Sequence, residues 1–183
     1  LNPILTKFKH FEIADKLLMQ DTYPSWLYPI KAHGATTIWE RWDSMKPDST
    51  FQDPGMTSFN HYAYGAIGDW IYRNIGGIDT EEFDGAGYKI SKVKLYIGTI
   101  KAAKTEYKTP YGIISTNWKV ENGELKLSLL IPFNSESKVY LPDGYKDFVL
   151  EVENINTKLK QDSSGEYIIL GSGNYQISFK YNL

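Results

Sequence analysis

With 183 residues the chain can bury one sizeable core, or one compact domain plus part of another, and its 42 % apolar and 15 % aromatic content excludes a disordered polymer. A net charge of −2 gives no electrostatic reason to expect nucleic acid or an anionic membrane as partner, and no apolar run approaches the ~20 residues of a bilayer span. Zero cysteines exclude disulfides, thiolate catalysis and Cys-based metal sites, and leave cytoplasmic, periplasmic and extracellular locations equally compatible.

The chain opens at Leu1-Asn2-Pro3 without an initiator Met or a leader pattern, which is expected of a piece cut from a longer protein. Residues 4–19 read as one helix, with Phe8, Phe11, Ala14, Leu17 and Leu18 at spacings of three and four. Pro24 stops it, a short turn or helix follows over 25–32, and Gly34 ends that. Residues 35–43 carry no helical stripe and precede Pro47, Pro54 and Gly55, so they read as an extended, irregular stretch. The next helix is expected to start at Ser58 as N-cap. Its apolar stripe is Phe59, Tyr62, Ala63, Ala66, Ile67, Trp70 and Ile71, and Gly76-Gly77 stops it. His61, Gly65, Gly68 and Tyr72 then share a different face of it.

From about Tyr88 the periodicity changes to two. Ile114, Thr116, Trp118 and Val120 alternate with polar residues, Asn122-Gly123 is a hairpin signal, and Leu125, Leu127, Leu129 and Ile131 alternate on the return. Further strands are expected near 136–141, 147–155, 166–170 and 174–181. The chain thus reads as α+β in two parts: a helical segment, 1–80, and an antiparallel β-sandwich, 81–183.

The chemistry concentrates in two blocks, around Glu40 and around His61. Glu40 lies between Trp39 and Trp42 on the irregular stretch, with His61 in the opening turn of the following helix. Aromatic side chains pack on the apolar faces of sugars, and a carboxylate can direct water at an anomeric carbon. The bland reading of Glu40 is a solvated or salt-bridged carboxylate, paired for instance with Arg41, and composition alone favours it; the place between two indoles on a loop brings the functional reading level with it. Trp39 and Trp42 are either sugar platforms or core; strict alternation would point Trp39 and Glu40 to opposite sides. Asp43, Asp48, Asp53, Glu81, Glu82 and Asp84 are expected to be solvated, and Asp15 and Asp69 to lie on polar helix faces. His10 and His33 have no partners at metal-ligand spacing, so neither a metal nor another cofactor is assigned.

At these blocks the chain resembles the bacterial α-L-rhamnosidases of glycoside hydrolase family 78. The matching pieces are Tyr23-Pro-Ser-Trp26, Gly34-Ala-Thr-Thr-Ile-Trp-Glu-Arg-Trp-Asp-Ser44, Met56-Thr-Ser-Phe-Asn-His-Tyr-Ala-Tyr-Gly65 and Gly76-Gly-Ile78. Thr109-Pro-Tyr-Gly112, Trp118, Ile131-Pro132 and Gly171-Ser-Gly-Asn-Tyr175 are similar to the family's terminal sandwich, whereas Leu27-Tyr28-Pro29 departs from its usual Gly-Tyr.

The resemblance implies that the helices are the last of a six-hairpin α/α barrel, followed by an antiparallel β-sandwich. It implies an inverting hydrolase that removes terminal α-L-rhamnose, with Glu40 as general base and His61 contacting the sugar; Trp39 and Trp42 are taken with His61 as candidate substrate-binding residues on the residue reading above. The general acid would come from upstream barrel segments, which makes the upstream part of the same parent chain a partner and the chain alone inactive. The alternatives are a non-catalytic carbohydrate-binding β-sandwich module and a purely structural domain. Truncated barrel helices expose apolar stripes, to be covered by the sandwich, by upstream chain, or by a second copy through Phe59, Ala66 and Trp70.

Overall fold

The structure, a computed structural model, describes residues 1–150 and 158–181. The chain divides into two compact units, Leu1–Trp70 and Ile71–Leu183.

The first unit opens with three helices: α1 (Asn2–Lys7), α2 (Phe11–Met19) and α3 (Leu27–His33). The single helix expected over 4–19 is therefore two. The chain breaks at Lys9, which adopts φ 63°, and its apolar spacing survives only in part. Ala14 and Leu18 are buried, but Phe8 is exposed. Asp15, expected on a polar face, is buried as well. The buried Asn2 donates its side-chain N–H to the Ala14 carbonyl and so ties α1 to α2. In α3, Ser25 Oγ accepts the Tyr28 N–H, and Gly34, at φ 63°, closes the C-terminus by donating to Ile30.

The second expected helix begins later than Ser58. A 3₁₀ turn over Ala63–Ala66 leads into α4 (Ile67–Trp70). Tyr62, assigned to the apolar stripe, is 89 % exposed. Trp70 is buried, stacked on Phe11 at 5.7 Å and donating its indole N–H to Thr6 Oγ1 at 2.8 Å.

A π turn, Ile71–Ile75, opens the second unit and closes on Gly76, whose N–H reaches the Ile71 carbonyl at 2.8 Å. Among the described residues ten strands follow: β1 (Ile78–Thr80), β2 (Ile90–Val93), β3 (Ala102–Thr109), β4 (Gly112–Glu121), β5 (Glu124–Ile131), β6 (Glu136–Tyr140), β7 (Tyr145–Leu150), β8 (Lys160–Asp162), β9 (Gly165–Leu170) and β10 (Gly173–Tyr181). Residues 151–155 of the strand expected at 147–155 lie outside the described residues.

The strands form two five-stranded sheets, ordered β1-β2-β6-β9-β8 and β3-β4-β5-β10-β7. Among the described residues every pairing is antiparallel except that of β2 with β6, which is parallel and joins strands separated by the whole β3–β5 meander. Asn122 and Gly123, at φ 52° and 75°, form the two-residue turn that sets the β4–β5 register, pairing Trp118 with Leu127 and Thr116 with Leu129. Each sheet has one buried face. Ile114, Trp118, Leu125, Leu127, Leu129, Ile131, Ile177 and Phe179 come from one, and Ile78, Val93, Val139, Ile168 and Leu170 from the other. The period-two apolar pattern of the sequence is this sandwich core.

Candidate functional site

The irregular stretch runs beside the 58–61 segment as a short ladder. His61 N–H donates to the Ile38 carbonyl and Glu40 N–H to the Ser58 carbonyl, both at 2.8 Å. The Thr37 hydroxyl donates to the Phe59 carbonyl. Ser58 N–H donates back to Glu40 Oε2 at 2.8 Å, so residue 58 holds both the backbone and the carboxylate of Glu40. This ladder explains the late helix start: the backbone groups of Ser58 and His61 are committed to residues 38–40. Among the described residues Glu40 Oε1 makes no hydrogen bond.

Glu40 does not pair with Arg41, so the bland reading fails in that form. Arg41 forms a two-point ion pair with Asp43, Nε to Oδ1 at 3.1 Å and Nη2 to Oδ2 at 3.3 Å. Asp43 also accepts from Gln52 Nε2 at 2.8 Å and is braced rather than solvated. Residues 41–44 form a β-turn closed by Ser44 N–H to the Arg41 carbonyl at 3.2 Å.

The turn projects Trp42 into an aromatic cluster. Trp26 meets it edge-on at 4.7 Å and Tyr64 stacks on it at 5.2 Å, while Trp26 donates its indole N–H to the Tyr64 carbonyl. A cavity of about 180 Å³ is lined here by Trp26, Trp42, Tyr64, Ile38, Trp39 and Arg41 among others. The Trp42 indole N–H is buried with no hydrogen-bond partner among the described residues. Trp39 is only 7 % exposed and packs edge-on against Phe59 at 4.9 Å, with His33 on another side.

His61 precedes the first helical turn instead of lying within it. Its Nδ1 accepts the Ala63 N–H at 3.3 Å, and its ring stacks on Tyr62 at 5.5 Å. A lone pair engaged at Nδ1 leaves Nε2 as the protonated, donating nitrogen of the neutral ring. Glu40 and His61 are thus brought onto facing segments of one ladder, while Trp39 and Trp42 line the cavity; neither Glu40 nor His61 lines it. Trp26, Ser44 and Tyr64 carry no assigned role in the sequence reading, and Ser58 is expected there only as a helix N-cap. All four lie within the matching motifs, but the hydrogen bonds of the serines are visible only in the fold.

Residues 1–75 match the bacterial alpha-L-rhamnosidase 6 hairpin glycosidase domain, and residues 77–156 match the bacterial alpha-L-rhamnosidase C-terminal domain. The chain belongs to the bacterial α-L-rhamnosidase family, with a helical part from the six-hairpin domain followed by a β-sandwich. It is 37 % identical over 97 % of its length to an alpha-L-rhamnosidase of Streptomyces avermitilis, and 36 % identical over 100 % of its length to one of Formosa agariphila. It spans 17 % and 20 % of those relatives' lengths. The crystal structure of the Streptomyces avermitilis enzyme complexed with L-rhamnose superposes with a TM-score of 0.87 over 98 % of this chain and 17 % of that one. The alpha-L-rhamnosidase of Aspergillus terreus gives 0.79 at 32 % identity, over 96 % of this chain and 18 % of that one.

Proposed function

We propose that this chain supplies the general base and part of the sugar pocket of an inverting glycosidase that removes terminal α-L-rhamnose from glycans or glycosides. The observation that carries the reading is the state of Glu40. One carboxylate oxygen is pinned by a backbone N–H, and the other makes no hydrogen bond among the described residues. A base that must aim a water needs this asymmetry: one oxygen to fix orientation, one to accept the proton. Membership of the rhamnosidase family, and a relative whose structure holds L-rhamnose, supply the substrate class.

In this mechanism Glu40 Oε1 takes a proton from water as the water oxygen attacks the anomeric carbon. The bond to the leaving oxygen breaks, and a carboxylic acid contributed by another segment of the full-length protein protonates that oxygen. Inversion requires room for the water, so the two carboxyls stand ~6.5–9.5 Å apart. His61, donating through Nε2, holds a sugar hydroxyl. Trp42, with Trp26 and Tyr64, forms an aromatic wall, and Trp39 lines the same cavity.

The test is Glu40→Gln in the full-length protein, assayed on an aryl α-L-rhamnoside with the anomer released followed by NMR. The expected result is a kcat loss of about 10²–10⁴-fold, with β-rhamnose as the first product of the unsubstituted protein. Near-normal turnover by the variant removes the base assignment, and α-rhamnose as first product removes inversion.

A further inference from the structure

Two peptide planes flank the Cα of Glu40, and each is held by one hydrogen bond. On the N-terminal side, Glu40 N–H donates to the Ser58 carbonyl at 2.8 Å. On the C-terminal side the Glu40–Arg41 peptide offers its N–H to Ser44 Oγ at 3.3 Å. The same hydroxyl donates to the Arg41 carbonyl at 3.0 Å, so one oxygen bridges the two peptide groups that follow Glu40. Ser44 is fully buried at 0 % exposure, and its own carbonyl accepts Gln52 N–H at 3.0 Å.

We propose that Ser44 is a positioning residue for the Glu40 carboxylate, acting through the Glu40–Arg41 peptide; this rests on Glu40 being the general base. The restraints from residue 58 are its backbone N–H and carbonyl, which any side chain there would still offer. The Ser44 hydroxyl is the restraint on that peptide which a side chain supplies. Serine suits the place because its single small oxygen accepts and donates at once. Alanine loses both bonds, and cysteine fills the space but bonds weakly. Released at this peptide, Glu40 can rotate about its backbone and carry Oε1 off the line of the attacking water. A displacement of about 1 Å at a reacting group is worth up to about 100-fold in rate. The Arg41–Asp43 ion pair braces the same turn from its partly exposed side and limits how far it opens.

The experiment is a double-mutant cycle in the full-length protein, with Ser44→Ala, Glu40→Gln and the pair together, measuring kcat, KM and the thermal midpoint. Ser44→Ala is expected to lower kcat about 10- to 100-fold with KM within about twofold. In the Glu40→Gln background it is expected to cost nothing further, because there is no longer a base to misplace. Ser44→Cys is expected to follow Ser44→Ala, and it carries the comparison if the alanine variant does not fold. A near-normal kcat for Ser44→Ala beside a crippled Glu40→Gln overturns the positioning role alone. Losses that multiply in the double variant overturn it too, since they mark a general structural role. Normal turnover by Glu40→Gln instead overturns the base assignment itself.

Discussion

Replacing Glu81 by Gln tests how the parallel seam of the sandwich is held. Lys92 on β2 and Lys138 on β6 are direct register partners, so two ammonium groups share one face of adjacent strands. Glu81 lies between them, with Oε1 at 2.7 Å from Lys138 Nζ and Oε2 at 3.4 Å from Lys92 Nζ, its side chain 16 % exposed. A charge-assisted hydrogen bond contributes about 1.5–3 kcal/mol and a partly screened ion pair less than about 1. The variant should therefore lose about 2 kcal/mol, a shift of about 1 M in the urea midpoint of this unit. Burial raises the Glu81 pKa, but the Lys138 hydrogen bond and the charges of Lys92 and Lys138 outweigh it, and the carboxyl ends below its ordinary 4.5. A depressed folded pKa means that the stabilisation is fully present above the unfolded value of 4.5 and is lost as pH falls through the folded value. Urea titrations followed by far-UV circular dichroism should thus show the same gap at pH 7 and pH 5.5, shrinking on further acidification. Equal stability of the two proteins at pH 7, or a gap indifferent to acid, would refute the reasoning.

Thr116→Val removes a buried hydroxyl that donates to the Gly76 carbonyl at 2.6 Å. Calorimetry should record a loss of about 1–3 kcal/mol, with Thr116→Ser close to the parent. His61→Gln in the full-length protein should raise KM for an aryl α-L-rhamnoside about 10-fold, the cost of one good hydrogen bond to the sugar, with kcat changed less. A kcat loss at unchanged KM would instead place His61 in the chemical step.

The sandwich was legible wherever its structure is local. The Asn122-Gly123 turn and the alternation of Leu125, Leu127, Leu129 and Ile131 fix one hairpin through neighbours in sequence. The parallel β2–β6 pair was not legible, since it joins residues about 45 positions apart and leaves no turn signal. Glu81 was misjudged for the same reason: the lysines that engage it belong to strands whose adjacency only the fold creates. In the helical unit, periodicity overreached. Phe59 and Tyr62 fit a helical stripe, but Phe59 packs on Trp39 and Phe51 while Tyr62 stays exposed, because the ladder to residues 38–40 takes the backbone first.

At the candidate site the residue types were legible and their support was not. A carboxylate among tryptophans, with a histidine about twenty residues on, points to Glu40 and His61 because each type carries its own chemistry. Glu40 is held by a backbone amide at 58, and the peptide after it by a serine hydroxyl at 44; both residues lie in the matching motifs, but residue type alone does not reveal these bonds. Their effect comes from where they sit. Ser58 holds one oxygen of the carboxylate and the peptide before it, and Ser44 holds the peptide after it. A loop made rigid at these points can keep a base aimed without a helix or strand beneath it. If the base assignment holds, the irregular backbone that obscured the site in the sequence is also what lets the carboxylate stand clear of its neighbours.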